Sequence, residues 1–101
     1  MLEAVTVVYL RERAGKTQQQ IAFEANKSLR TIYSWDTGEK SPIFTSAAEI
    51  EEVMRAYECS FPEFAQAFSH AHFKLSILEL GRLLEGAGLS LEDWKRQTEE
   101  R

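Results

Sequence analysis

The sequence predicts an all-helical protein of a single domain. Side chains that cap helices recur along the chain, whereas no segment alternates apolar and polar residues between hairpin turns. Apolar residues instead recur at spacings of three and four, as on one face of a helix. The 101 residues suffice for one modest hydrophobic core but not for two. Their 44% hydrophobic and 28% charged content is typical of a globular chain, not of a disordered one.

The first two helices are predicted from their caps and their inward apolar residues. The first helix is expected over 3–14 and ends at a glycine. Thr17, followed three residues later by Gln20, forms a capping-box pattern that opens a second helix over 18–25. Asn26 lies where the chain must turn sharply, and asparagine tolerates the left-handed conformation better than most residues. The residues expected to face inward are Ala4, Val7, Val8, Leu10, Ile21, Ala22 and Ala25.

A third helix follows directly after this turn. Ser28 is expected to cap it, it runs over 29–37, and Gly38 ends it. Ile32 and Trp35 point to the core. Two short helices joined by a tight turn are the usual device for placing one helix in the DNA major groove. The outward side of the third helix carries Arg30, Tyr33, Ser34 and Thr37.

The second half of the chain contains the same kind of start signal. Serines followed three residues later by an acidic residue open a fourth, a fifth and a last helix at Ser46, Ser60 and Ser90. A sixth helix is predicted over 71–85, because its apolar residues alternate in spacings of four and three, and a glycine-rich break follows it. The predicted apolar stripes are Ile50, Val53, Met54 and Tyr57, then Phe61, Phe64 and Phe68, then Phe73, Ile77, Leu80 and Leu84, and finally Leu91 and Trp94.

Charge is distributed unevenly. The net charge is −4, but residues 1–42 hold six Lys or Arg against five acids, whereas residues 43–101 hold six against eleven. The acidic excess therefore lies outside the first three helices. This asymmetry is compatible with DNA binding and predicts weak non-specific affinity, since contacts to phosphates supply most of that affinity.

Residues 10–42 resemble the helix-turn-helix of the Xre/Cro repressor family. The likeness extends over 1–68 if the fourth and fifth helices are included, and 69–101 lie outside it. It implies a five-helix Xre/Cro-like DNA-binding domain followed by a helical extension, which is expected to dimerise or to bind a partner. The matching residues are Leu10, Arg11, Thr17, Gln18, Ala22, Ser28, Ile32, Trp35, Asp36, Gly38 and Pro42.

The resemblance also implies roles for individual residues. The third helix is the recognition helix, with Leu29, Arg30 and Ser34 facing base edges. Arginine bonds bidentately to guanine, a contact worth about 1–3 kcal/mol of discrimination. Gln18, at a helix N-terminus, is expected to bind a phosphate. Lys27 and Lys40, which flank the third helix, are expected to contact the DNA backbone. Tyr33 is expected to contact a phosphate or a sugar. The implied DNA-binding residues are Gln18, Lys27, Ser28, Leu29, Arg30, Tyr33, Ser34 and Lys40.

Three further positions depend on the resemblance. Arg11 and Asp36 match a structural ion pair that ties the first helix to the end of the recognition helix. Lys27 stands where an apolar residue usually plugs the turn. Its charge therefore lies near the expected position of the DNA.

Proteins of this family bind palindromic half-sites as dimers, with recognition helices about 34 Å apart. We therefore expect a homodimer on double-stranded DNA. An alternative is that the sixth helix folds back and covers the domain's own core, since an apolar stripe does not reveal whose surface it meets. The candidates for a dimerisation interface are Phe64, Phe68, Phe73, Ile77, Leu80 and Leu84.

The sequence thus predicts a sequence-specific transcriptional regulator, expected to be a cytoplasmic, nucleoid-associated repressor of prokaryotic or phage origin. The alternative is an antitoxin-like or other protein-interaction module of the same fold, which binds a protein partner through its acidic C-terminal helices. We expect no enzyme, no cofactor and no membrane span. His70 and His72 are two residues apart and, with Cys59, offer too few ligands for a metal. A single cysteine also excludes an internal disulfide and suits a reducing compartment.

Overall fold

A computed structural model describes the backbone of residues 5–99 and the side chains of residues 5–94 and 96. This part of the chain is mostly helical, as the capping signals predict, and also contains two very short strands. None of the described helices is long and apolar enough to cross a membrane. The elements are α1 (Val7–Ala14), α2 (Gln18–Glu24), α3 (Leu29–Thr37), β1 (Ile43–Phe44), α4 (Ala47–Tyr57), α5 (Phe61–Ala67), β2 (His72–Phe73), α6 (Ile77–Gly86) and α7 (Leu91–Glu99).

The predicted helix starts are confirmed by hydrogen bonds at the caps. The Thr17 hydroxyl accepts from the backbone N–H of Gln20 at 3.1 Å, and the Gln20 side chain accepts from the backbone N–H of Thr17 at 2.7 Å. This reciprocal pair satisfies two donors that a helix start leaves open. A hydroxyl accepts from a backbone N–H three residues on at the five predicted starts that are confirmed, which are Thr17, Ser28, Ser46, Ser60 and Ser90.

The first helix begins later than predicted. Thr6 has extended backbone angles, and its hydroxyl accepts from the backbone N–H of Tyr9 at 3.1 Å, so it caps a helix that starts at Val7. The earlier start at residue 3, with Ala4 facing inward, falls on residues 1–4, which lie outside the described residues. The predicted end is confirmed, because Gly15 adopts the left-handed conformation.

The predicted sixth helix over 71–85 is wrong over residues 71–76. His72 and Phe73 form β2, which pairs in parallel with β1, and the backbone N–H of His72 donates to the Pro42 carbonyl at 2.8 Å. Phe73 stacks on Phe44 with ring centroids 5.7 Å apart. The helix starts only after Ser76, whose hydroxyl accepts from the backbone N–H of Glu79 at 3.2 Å. A pairing between distant segments therefore replaces the local helical pattern here.

One hydrophobic cluster contains buried residues from each of the six helices α1 through α6 and from β1. Its centre is aromatic: Phe64 and Phe68 stack at 4.8 Å, and Phe44 meets both rings edge-on at 5.2 and 5.6 Å. Offset and edge-to-face pairs of this kind add to the free energy gained by burial alone. The third helix joins the cluster through Trp35, whose ring lies 5.3 Å from that of Phe68.

The apolar stripe of the second half is divided between core and surface. Leu84 is 1% exposed and Phe64 and Phe68 are fully buried, so the chain's own core covers these three candidates for a dimerisation interface. The helix α6 packs against α4, as expected from the alternative in which the sixth helix folds back and covers the domain's own core. Ile77 remains 76% exposed, Phe73 39% exposed, and Leu80 half-buried.

Candidate nucleic-acid interface

The turn between α2 and α3 positions the third helix. Asn26 adopts the left-handed conformation, with φ of 56°, and the backbone N–H of Lys27 donates to the Ala22 carbonyl at 2.8 Å. The Ser28 hydroxyl then accepts from the backbone N–H of Thr31 at 3.1 Å and caps α3. Ala25, just before the turn, is fully buried. The two helices are thus held against each other by a turn of four residues, 25–28.

The helix α3 has a buried side and an exposed side. Ile32 is fully buried and Trp35 is 7% exposed, which anchors the helix in the core. Leu29 is 45% exposed and Tyr33 is 53% exposed, and Arg30 lies on the same outer side. Burying such large groups on folding stabilises the protein by roughly 1.5–3 kcal/mol each, whereas exposed ones contribute little. The outward side of α3 is therefore the part left for contact with another molecule.

Arg30 and Lys40 are exposed, and no acidic side chain within residues 5–94 forms an ion pair with either. Both border an open groove of about 410 Å³ between α3 and the segment that follows it. Thr31 and Ser34 line the groove from α3, and Ile43 lines it from β1. Glu39 and Glu49 also line the groove, so its cationic side chains, Lys27, Arg30 and Lys40, outnumber its carboxylates by one. Arginine presents a planar fork of donors that suits an anion or a base edge.

Lys27 has a partner, in contrast to Arg30 and Lys40. Its ammonium lies 2.6 Å from a carboxylate oxygen of Glu49, and the two side chains are only 25% and 23% exposed. The other carboxylate oxygen of Glu49 accepts from the backbone N–H of Thr45 at 3.0 Å, which fixes Glu49 at the start of α4. The charge of Lys27 is thus neutralised locally, and a phosphate would have to compete with Glu49 for it.

Gln18 faces the end of α3. Its amide nitrogen donates to Asp36 at 2.8 Å, and the same Asp36 oxygen accepts from Arg11 at 3.1 Å. The Arg11–Asp36 ion pair expected from the family resemblance is present, and it links α1 to the last turn of α3. One N–H of the Gln18 amide is used in this way, and the half-buried amide carries a second N–H.

The environment of Asp36 is poor in water. Its side chain is 6% exposed, and the side chain of Arg11 is 20% exposed.

Tyr57, the last residue of α4, feels the charge of Asp36. Burial raises the pKa of Tyr57 well above its ordinary range, and the charge of Asp36 raises it further. Tyr57 therefore remains a neutral phenol at any physiological pH. The charges that hold the end of α3 are screened weakly by salt because they lie mostly inside the protein.

Ser28 is used mostly within the protein, whereas Phe23 is exposed beside the third helix. The Ser28 hydroxyl caps α3 and also bonds the Thr31 hydroxyl at 2.8 Å, so its hydrogen-bonding capacity is largely used within the protein. Phe23, which is not among the predicted site residues, is 87% exposed at the end of α2. Its position outside the inward set Ile21, Ala22 and Ala25 is the signal that would have identified it.

Metal ligands and the cysteine thiol were the remaining reactive groups that the sequence suggested. Within them, no group of three or more His, Cys, Asp or Glu side chains is placed to hold a metal ion. Burial raises the pKa of the Cys59 thiol to about 12. Because the thiolate is the reactive form of cysteine, this thiol is a poor nucleophile at neutral pH.

Comparisons with known proteins leave the family open. No protein-family model matches the chain, and neither a curated protein nor a solved structure is similar enough to count as a match.

Proposed function

We propose that this protein is a sequence-specific DNA-binding transcriptional regulator of the Xre/Cro type, with α3 as its recognition helix. The single observation that carries the proposal is Arg30, which is exposed and has no ion-pair partner among the described residues, on a short helix whose opposite side is anchored by Ile32 and Trp35. A rigidly held helix with a free arginine on its outer side suits the reading of base edges in the major groove.

The proposed contacts divide into base and backbone contacts. Arg30 bonds bidentately to a guanine, with Leu29 beside a thymine methyl and Ser34 at a neighbouring base edge. Lys40 contacts a phosphate across the groove. The second N–H of Gln18, at the N-terminus of α2, donates to another phosphate. The phosphate contacts position the helix, and the base contacts select the operator.

The proposed regulator acts as a homodimeric repressor on a palindromic operator. A single domain of this kind has few free cations on its α3 side, so one half-site alone would be bound weakly. In a dimer, binding of the first recognition helix makes binding of the second an intramolecular event. The overall affinity therefore rises although each half-site makes the same contacts. Dimerisation is therefore part of the proposal.

The test is selection of randomised duplex DNA by the purified protein, followed by affinity measurements with Arg30→Ala. We expect an enriched palindrome, affinity that falls with salt, and a loss of about 5- to 150-fold for Arg30→Ala, which corresponds to the guanine contact. Arg55→Ala is a matched control, because Arg55 is also exposed and without an ion-pair partner among the described residues but lies on α4, away from the groove. Equal affinity of both variants and the wild type for the selected duplex would refute the assignment.

A second candidate function is a protein-interaction module with the same α2–α3 unit. It is favoured by Ile77 and Leu78, which are 76% and 86% exposed on α6, and by the acidic balance of residues 43–101. Exposed apolar residues surrounded by polar ones are typical of surfaces that bind proteins. A folded protein that enriches no duplex, but binds a basic partner whose binding Leu78→Ser abolishes, would favour this candidate.

A further inference from the structure

An apolar cavity lies on the side of the molecule formed by α5, β2, α6 and α7. Its volume is about 170 Å³. Phe61 and Ala65 contribute to its walls from α5, Leu80 from α6 and Trp94 from α7. Phe73 and Leu75 complete the lining, and Phe73 is the exposed member of the set. The cavity therefore extends from the buried ring of Phe61 to the surface at Phe73.

The walls of this cavity are suited to an aromatic ring. None of the six lining side chains carries a charge, and the indole of Trp94 has the only side-chain N–H among them. The Trp94 ring lies 5.2 Å from the ring of Phe61 and is tilted by 40° against it, so these two rings of the cavity wall are not stacked in parallel. Aromatic faces and edges favour another ring as a neighbour, whereas a water molecule needs two to four polar partners.

The volume limits the size of the occupant. An apolar cavity of about 150 Å³ stays dry and binds benzene. A cavity of about 170 Å³ accepts one six-membered ring with one or two further carbon atoms. A carboxylate or ammonium group would lose its hydration without gaining a partner there.

We propose that this cavity is a binding site for a small uncharged molecule with a single aromatic ring. The proposal does not depend on DNA binding, because its residues are distinct from the α2–α3 unit. The walls belong to α5 on one side and to α6 and α7 on the other. A bound ring would therefore hold the last two helices against the rest of the protein.

The test uses the full chain with toluene as the probe and benzoate as its charged counterpart. At a toluene concentration ten times its Kd we expect the Tm to rise by roughly 6 °C, since a ligand that binds only the folded state stabilises it. Benzoate at the same concentration leaves the Tm unchanged. Toluene also changes the tryptophan fluorescence of Trp94, measured with excitation selective for tryptophan in Trp35→Phe, where Trp94 is the only tryptophan.

Filling the cavity distinguishes this site from non-specific binding. Ala65→Leu and, on the opposite wall, Leu80→Phe occupy the volume and should each abolish the toluene effect. Two variants on opposite walls are used because overpacking a core can prevent folding. Leu78→Phe is the matched control: it enlarges a side chain of the same helix that is 86% exposed and outside the cavity, and the toluene effect should persist. An unchanged Tm of the wild type, an equal response to benzoate, or an equal toluene response in a folded cavity-filling variant would overturn the proposal.

Discussion

The side of the molecule around α3 and the side around α6 and α7 are stabilised by different interactions. At α3, buried side chains are combined with polar links, because Asp36 accepts from both Arg11 and Gln18 and Lys27 pairs with Glu49. At α6 and α7 the contacts are mainly apolar and aromatic, and they leave a cavity of about 170 Å³. Hydrogen bonds and ion pairs are directional and hold α3 at a defined angle. On the side of α6 and α7 the apolar side chains leave a cavity that another apolar group can fill. The first side is thus suited to anions and base edges, and the second to a small apolar molecule.

The largest effect is expected from the buried polar link at α3. Asp36→Asn leaves the guanidinium of Arg11 without its charged partner in a site that is only 20% exposed, and we expect a loss of about 2–3 kcal/mol in the free energy of unfolding. Urea unfolding measures this loss. Glu24→Gln, which weakens the more exposed pair of Lys16 and Glu24, should cost less than about 1 kcal/mol. Equal losses in the two variants would show that the α3 link is no stronger than a surface pair.

Acid should weaken the ion pair between Arg13 on α1 and Glu63 on α5. A hydrogen bond from Arg13, together with one from the backbone N–H of Ser60, lowers the pKa of Glu63 to about 2. Because the folded-state pKa is lower than the unfolded one, the stabilisation is present above about pH 4.5 and is lost as the pH falls toward 2. Glu63 is 33% exposed, so solvent screening reduces the effect to about 1 kcal/mol.

Urea unfolding of the wild type and of Glu63→Gln between pH 6 and pH 2 checks this expectation. The variant lacks the titrating group and should lose less stability over that range. Parallel curves for the two proteins would contradict the proposed role of Glu63 in linking α1 to the start of α5.

The smallest effect concerns the neutralised lysine. If α3 contacts DNA, Glu49→Gln removes the carboxylate that neutralises Lys27 and frees this lysine for a phosphate. We therefore expect a several-fold gain in non-specific affinity for duplex DNA. The slope of log K against log salt concentration should become more negative by about 0.9, the value for one added phosphate contact. Titration of random-sequence duplex at several salt concentrations measures both quantities. Glu51→Gln is the control, since it releases Arg82 on α6 instead. An equal gain in both variants would indicate a general charge effect rather than a local one at α3.

The helix starts at Thr17, Ser28, Ser46, Ser60 and Ser90 and the exposed side of α3 were determined by the sequence alone. A cap needs only a hydroxyl and a backbone N–H three residues on, so Thr17, Ser28 and Ser60 specify their helices without help from distant residues. The helical period likewise places Ile32 and Trp35 opposite Arg30. The DNA-binding roles of the outward residues stay predictions, because they depend on a molecule outside the chain.

The tertiary structure alone decided the features that join distant segments. Phe73 lies in a strand and not in a helix because it stacks on Phe44, 29 positions away in the sequence. Lys27 is neutralised because the fold brings it to Glu49. The cavity beside Trp94 is the volume left between side chains of four elements, a quantity that depends on how these elements pack. Local hydrogen bonds are readable from a few neighbouring residues, whereas packing and pairing across the chain arise only when all elements are in place.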